Sequence, residues 1–373
     1  MPLTVTRDTD LSNSPPSAGG IEIGLVNNMP DTALKSTEAQ FAALLTAAAG
    51  DLAVRLRLFT LPLVPRSERG AQHLGESYLG LRDFWDSWLD ALIVTGTEPR
   101  AAALADEPYW PALSEVIEWA EEHTISTVWS CLAAHAAVFH LDGIARQPLA
   151  DKRFGVFSCD KSNDSAGDHP LIRDLASPFP VPHSRWNELR EDDLRAGGYE
   201  ILTRSAAAGV DMFARQGRSL FVFFQGHPEY DPMSLLGEYR RDLGRYLRRE
   251  RATCPPLPHG YFDAATSVLL TEFAARAQAD RREELLAEFP LAAAEGGVRV
   301  GWRDGAAQVY RNWLTFIAAR KAEGAGRRAA PPRRLNRPHA ARDRNVSFID
   351  RRRRAGPPRP GGPADRRRSA DPA

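Results

Sequence analysis

Cysteine is scarce in this chain. Only Cys131, Cys159 and Cys254 occur in 373 residues, with no CxxC spacing among them; an odd count in a sequence too long to need staples argues against a disulfide framework and for a reducing cytosol. HxH and HExxH spacings are missing, so no metal site is expected, and no Gly-rich phosphate loop occurs. No run of about 18 uncharged apolar residues exists to span a membrane. The polar, Pro/Ser-rich stretch from Met1 to Gly20 lacks the apolar core of a signal peptide. An excess of one charge is lacking too, with 48 basic and 48 acidic residues, but that balance conceals a split. From Arg320 to Ala373 there are 17 Lys/Arg against 5 Asp/Glu, leaving 31 against 43 for residues 1–319. The body is acidic and the tail basic. Arg351 to Arg354 and Arg366 to Arg368 stand among Pro, Gly and Ala with almost no apolar pattern, so the tail is expected to be disordered. It reads as a solvated appendage. Its functional alternative is an arm for RNA or an acidic partner, although only Phe348 is there to stack a base.

What the chain does have is an alternation of β-rich runs and amphipathic stretches from about Ile21 to Arg320, with enough apolar residues, 43%, for a large core. That order predicts an α/β fold with a largely parallel sheet. Strands are expected at 21–26, 52–59, 91–94, 126–130 and 220–224, with further, more hairpin-like strands at 153–157, 200–203 and 210–213. Helices are expected at 36–45, 110–123, after Cys131, at 232–249 and at 309–319. The organisation is thus a disordered segment 1–20, one domain 21–320 and the basic tail 321–373. In an open α/β sheet, ligands bind beyond the carboxyl ends of the strands. Asn27 to Pro30, Thr95 to Arg100, Cys131 and His227 all follow predicted strands, which predicts one shared cleft.

Two of those strand ends carry chemistry. Ser126 to Cys131 followed by the small-residue run Leu132 to Val138 has the form of a strand turning sharply into a helix, a nucleophile elbow whose helix N-terminus favours thiolate. Leu220 to Phe224 leads to Gln225-Gly226-His227-Pro228-Glu229-Tyr230, where an imidazole and a carboxylate stand two positions apart. Cys131 as nucleophile, His227 as proton acceptor and Glu229 as its orienter form a candidate triad. The Leu132 amide would donate to the oxyanion, with a second donor sought near Met29. A buried cysteine among small residues is otherwise inert core. His135, one turn beyond Cys131, reads as helix packing or pocket wall. His183, placed in a polar loop, stays open as a competing base.

At this point the residues resemble a known family. Asn28-Met29-Pro30, Thr37-Glu38-x-Gln40-Phe41, Val94-Thr95-Gly96, Tyr109-Trp110, Ser130-Cys131, Pro182-His183-Ser184-Arg185, Gly226 to Asp231 and Asn312-Trp313-Leu314 follow the order and spacing of the homoserine O-succinyltransferases, relatives of class I glutamine amidotransferases. The resemblance implies a flavodoxin-like, doubly wound sheet with helices on both faces, and transfer of a succinyl or acetyl group from acyl-CoA, a co-substrate rather than a cofactor, to the hydroxyl of L-homoserine in methionine biosynthesis. By motif position it implies Cys131 as acyl-thioester nucleophile with His227 and Glu229, and Lys152, Ser184 and Arg241 as substrate contacts. Arg100 occupies the loop position tied to acyl-donor choice, where relatives often carry Gly or Glu. A cation there suits the succinyl carboxylate. Leu132 and His135 depart from the Trp and Gln usual in the family. A cytoplasmic homodimer is the family expectation, with small-molecule substrates, no membrane, and no nucleic acid apart from the tail. Two readings compete: a glutaminase of the amidotransferase type, which lacks here its Gly-x-Cys-x-Gly-x-Gln elbow, and a non-catalytic homologue binding acyl-CoA or RNA.

Overall fold

A computed structural model describes residues 3–6, 20–162 and 169–324. The basic tail beyond Gly324 and residues 163–168 lie outside the described residues, as does most of the N-terminal segment. Within that segment Leu3–Val5 (β1), read from composition as disordered, pairs in parallel with the edge of the sheet at Val54 to Leu56. Three alternating residues offer too little pattern to be recognised as a strand, but an open strand edge gives their backbone groups partners.

The chain runs from β2 (Gly20–Val26) through α1 (Asp31–Ala49), β3 (Ala53–Phe59), α2 (Glu68–Ser77), α3 (Leu81–Trp85), β4 (Ala91–Val94), α4 (Trp110–His123) and β5 (Ser126–Ser130) to α5 (Leu132–Asp142). A second series follows: β6 (Gln147–Lys161), β7 (Phe179–Glu188), α6 (Glu191–Ala196), β8 (Glu200–Ser205), β9 (Gly209–Gln216) and β10 (Leu220–Phe224). Four helices end it, α7 (Ser234–Leu247), α8 (Ala264–Ala279), α9 (Leu291–Gly296) and α10 (Arg303–Ala322). The strands order as β1-β3-β2-β4-β5-β10-β9-β8-β6-β7. Pairing is parallel from β1 to β10 and antiparallel from β10 to β7.

The parallel strands β2, β4, β5 and β10 are buried along their whole length, as expected where helices cover both faces. Alternate side chains divide between two cores. Ile23, Leu25, Ile93, Val128, Val222 and Phe224 pack with α1 and α10; Val26, Leu92, Val94, Trp129, Phe221 and Phe223 pack with α4 and α5. On α10 the buried positions Ala306, Val309, Tyr310, Trp313, Leu314 and Ile317 recur at helical period. A third core joins α7, α8 and α9 around Tyr239, Tyr261 and Trp302. No helix among the described residues is long and apolar enough to cross a membrane.

Candidate active site

The strand β5 ends where its pattern runs out, and Cys131 makes the turn. It caps α5 with φ 51° and ψ −111°, a backbone state that costs a non-glycine residue about 1–3 kcal/mol. Two hydrogen bonds hold it there. Its N–H donates to the Phe224 carbonyl of β10 at 2.8 Å, and its carbonyl accepts from the His135 N–H at 3.2 Å. The loop after β4 presses on the elbow from the other side: a Cβ on Gly96 would lie 2.5 Å from Leu132 Cβ and 3.1 Å from Leu132 N. Only glycine permits this approach. The Leu132 amide opens the helix and so has no acceptor within it. Met29, where a second oxyanion donor was sought, donates its amide to Asn27 Oδ1 at 3.2 Å; the segment that abuts Leu132 is Gly96 instead.

His227 follows β10, the neighbour of β5, so it stands beside Cys131. Its Nδ1 lies 2.9 Å from Glu229 Oε1, which also accepts from Ser130 Oγ at 3.3 Å. Burial by itself would lower the imidazole's pKa. The negative charges of Cys131 and Glu229, with the hydrogen bonds to both, overcome it and raise the pKa well above the ordinary 6.5. The turn that carries His227 is fixed by its backbone: the Gln225 N–H donates to the Asp211 carbonyl and the His227 N–H to the Pro182 carbonyl, each at 2.8 Å. Gln225 Nε2 donates to the Val210 carbonyl at 2.8 Å, and its Oε1 accepts from the Leu189 N–H at 2.7 Å.

The other two histidines weighed from the sequence are placed elsewhere. His135 Nε2 lies 3.1 Å from Gln225 Oε1 in the core, and burial, the chief cause, takes its pKa down to about 3. His183 is not in a loop. It is a fully buried residue of β7, kept neutral first by burial and then by Arg185. The Pro at 182 and the polar neighbours conceal this strand from pattern reading. His183, Asp211 and Cys159 have metal-ligand atoms within 4.8 Å of one another. Arg185 Nε, however, donates to His183 Nδ1 at 3.4 Å, which leaves the proton on the Nε2 that faces Asp211 Oδ1 at 3.4 Å. A metal-bound imidazole needs that nitrogen bare and the other protonated, so this arrangement favours a buried polar cluster over a metal site.

Cys131, Leu132, His227 and Glu229 line a cleft of about 500 Å³ together with Lys152, Ser184 and Arg241. Four strand ends meet there, since Met29, Pro30 and Thr95 to Glu98 line it as well. Lys152 is not a solvated surface cation. Its side chain is 7% exposed, and Nζ lies 3.1 Å from Glu238 Oε2, 3.5 Å from Asp242 Oδ2 and 4.1 Å from the centre of the Phe154 ring. Ser184 Oγ donates to Glu238 Oε2, and Tyr230 donates its hydroxyl to Glu238 Oε1 at 2.6 Å. Arg241 is half-exposed, 3.0 Å from Asp242 and 3.9 Å from Glu238. Burial raises the Glu238 pKa, but Lys152, Ser184 and Tyr230 more than offset it and hold the carboxyl below its usual range. Glu238 is thus the hub of the charged wall of the cleft, and sequence reasoning missed it. Its signal was the acid, base, acid run of Glu238, Arg241 and Asp242 on one side of α7. Arg100 is exposed and does not line the cleft; its amide and that of Ala101 donate to the buried Glu107 at 2.6 and 2.8 Å.

A cysteine on an elbow between parallel strands, next to an imidazole braced by a glutamate, is the layout of α/β enzymes that work through a cysteine nucleophile. Comparison with known proteins narrows the class. A family model described as homoserine O-succinyltransferase matches residues 16–323. A Rhodopseudomonas palustris protein named homoserine O-succinyltransferase is 52% identical over 299 residues, covering 80% of this chain and 89% of its own. One of the same name from Bradyrhizobium japonicum is 47% identical, covering 80% and 90%. The chain belongs to the homoserine O-succinyltransferase family. Among solved structures, a glutamine amidotransferase from Methylobacillus flagellatus aligns with a TM-score of 0.45 and 13% identity, covering 80% of this chain and 96% of that one.

Proposed function

We propose that this protein is a cytoplasmic homoserine O-acyltransferase of methionine biosynthesis, moving a succinyl group, or an acetyl group, from acyl-CoA to L-homoserine through a thioester on Cys131. The observation that carries the reading is that, in a chain of this family, Cys131, His227 and Glu229 converge on the same cleft as Lys152, Ser184 and Arg241.

In the first half-reaction the Cys131 thiolate attacks the acyl-CoA carbonyl, and the oxyanion turns to the Leu132 amide. The CoA sulfur leaves with the proton of the His227 imidazolium. Acylation also removes the charge on sulfur. One of the two anions that raise the His227 pKa is then gone, so the imidazole is left neutral and ready to accept a proton. In the second half-reaction homoserine's hydroxyl gives its proton to His227, its oxygen attacks the thioester, and the Cys131 thiolate leaves. Glu229 keeps Nδ1 protonated throughout, which directs Nε2 to the reacting atoms. For homoserine itself, Arg241 and Lys152 suit the α-carboxylate and Glu238 the α-ammonium. Arg100 is assigned to acyl-donor choice, and a homodimer is proposed.

Intact mass measurement of the protein mixed with succinyl-CoA or acetyl-CoA, without acceptor, tests this. One acyl mass on wild type and none on Cys131→Ala is the expected result, followed by loss of the adduct when homoserine is added. No adduct from either donor on folded wild type overturns it.

A further inference from the structure

We propose that Tyr230 is a positioning residue that serves the two half-reactions with two parts of one side chain: its ring seats the His227 imidazole beside Cys131, and its hydroxyl holds Glu238 where the amino-acid acceptor binds. This rests on the acyl-transfer reading above.

The ring lies face to face with the imidazole, centroids 4.3 Å apart and planes 16° from parallel. A phenol face is electron-rich, so this stack favours the imidazolium over other placements of the ring and blocks rotation out of the plane set by Glu229. At its far end the same side chain donates to Glu238 Oε1 at 2.6 Å. Ser184 and Lys152 take only the other oxygen, Oε2. The Tyr230 bond therefore fixes the remaining rotation of the carboxylate. Tyr230 itself is pinned on both sides of its backbone: its N–H donates to the His227 carbonyl at 3.2 Å, and its carbonyl accepts from Trp302 Nε1 at 2.9 Å. Trp302 is buried in the third core, so the position of Tyr230 is set by the packing of α7, α8 and α9 against the sheet end. One side chain thus ties a base delivered by the sheet to an acid delivered by α7.

The two functions separate by substitution. Tyr230→Phe keeps the stack and loses the bond to Glu238. Its acyl-enzyme formation, followed by rapid mixing and intact mass, should stay within about threefold of wild type, while KM for homoserine rises about 10- to 50-fold, as for loss of one charge-assisted hydrogen bond. Tyr230→Leu loses both and should in addition slow acyl-enzyme formation about tenfold or more. Glu238→Gln combined with Tyr230→Phe should raise KM no more than Glu238→Gln alone, because the two residues act as one unit. Equal slowing of both half-reactions in Tyr230→Phe, or an unchanged KM, overturns the proposal. Should Tyr230→Leu not fold, Tyr230→Met, of similar bulk without a ring, tests the stack, and acyl-enzyme formation at wild-type speed in it overturns that half of the proposal. Absence of any acyl-enzyme on wild type is a different outcome, the failure of the acyl-transfer reading itself.

Discussion

The two halves of the sheet differ in what they supply. Strands β2, β4, β5 and β10 run parallel, are buried on both faces and end in backbone features: the elbow at Cys131, the close approach of Gly96 and the helix amide at Leu132. The antiparallel half supplies charged and polar side chains instead, Lys152 from β6 and Ser184 beside His183 on β7, which meet Glu238 of α7. His227 stands at the seam, because β10 is parallel to β5 and antiparallel to β9. On the proposed reading, the bond-making groups follow the buried parallel strands, and the groups assigned to the acceptor come from β6, β7 and α7.

Substitutions can break that division in order of decreasing effect. His227→Ala removes the seam and should lower kcat by about 10²- to 10⁴-fold, with loss of both acyl-enzyme formation and its discharge; retention of the first step at wild-type speed would refute the shared base. Trp313→Ala attacks the core between the sheet and the α1–α10 face. Trp313 is buried and donates Nε1 to Ser126 Oγ on β5 at 2.8 Å, so denaturant titration should show a loss of about 3–5 kcal/mol. Lys152→Met attacks the antiparallel half: acyl-enzyme formation should be preserved and KM for homoserine raised about tenfold or more.

Asp211 sharpens the comparison through pH. Burial, the largest cause, pushes its pKa up from 3.8 to about 6. The folded state then holds a proton that the unfolded chain releases, so this group's contribution to stability is present at low pH and is lost as pH rises from about 4 to 6. Asp211→Asn should remove that slope, on the order of 1–3 kcal/mol, in the difference between wild-type and variant stability measured across that window. The smallest effect is expected for Arg100→Glu. An exposed charge is strongly screened, so the ratio of kcat/KM for succinyl-CoA to that for acetyl-CoA should fall by about fivefold; an unchanged ratio removes Arg100 from donor choice.

The same division governs what could be read from the sequence. Buried parallel strands are continuous apolar runs, and 21–26, 91–94, 126–130 and 220–224 fall on β2, β4, β5 and β10. The candidate residues Cys131, His227 and Glu229 were legible with them, because they sit just after such runs. The antiparallel half was only partly legible. Its β6 is more than twice the length of the run 153–157, since Gln147 to Lys152 alternate among polar residues, and β7 carries Pro180 and Pro182 inside a strand. Helix α8 went unseen: Asp263 caps it by accepting the Thr266 N–H at 2.7 Å, but its exposed Val268 and Leu269 blur the amphipathic pattern. Glu238 was missed for a different reason. The acid, base, acid run on α7 is local, but the meeting of Glu238 with Lys152, Ser184 and Tyr230, from β6, β7 and the turn after β10, is encoded by no local pattern.

One bond described earlier sets how this enzyme fails. The amide of Cys131 is tied to Phe224 at the carboxyl ends of β5 and β10, two neighbouring strands that are buried along their whole length. Its hydrogen exchange should therefore proceed only through global unfolding, and the reactive thiol's geometry should last as long as the fold does. A heated sample would then hold a mixture of fully competent and fully unfolded molecules, with residual activity counting the folded fraction directly.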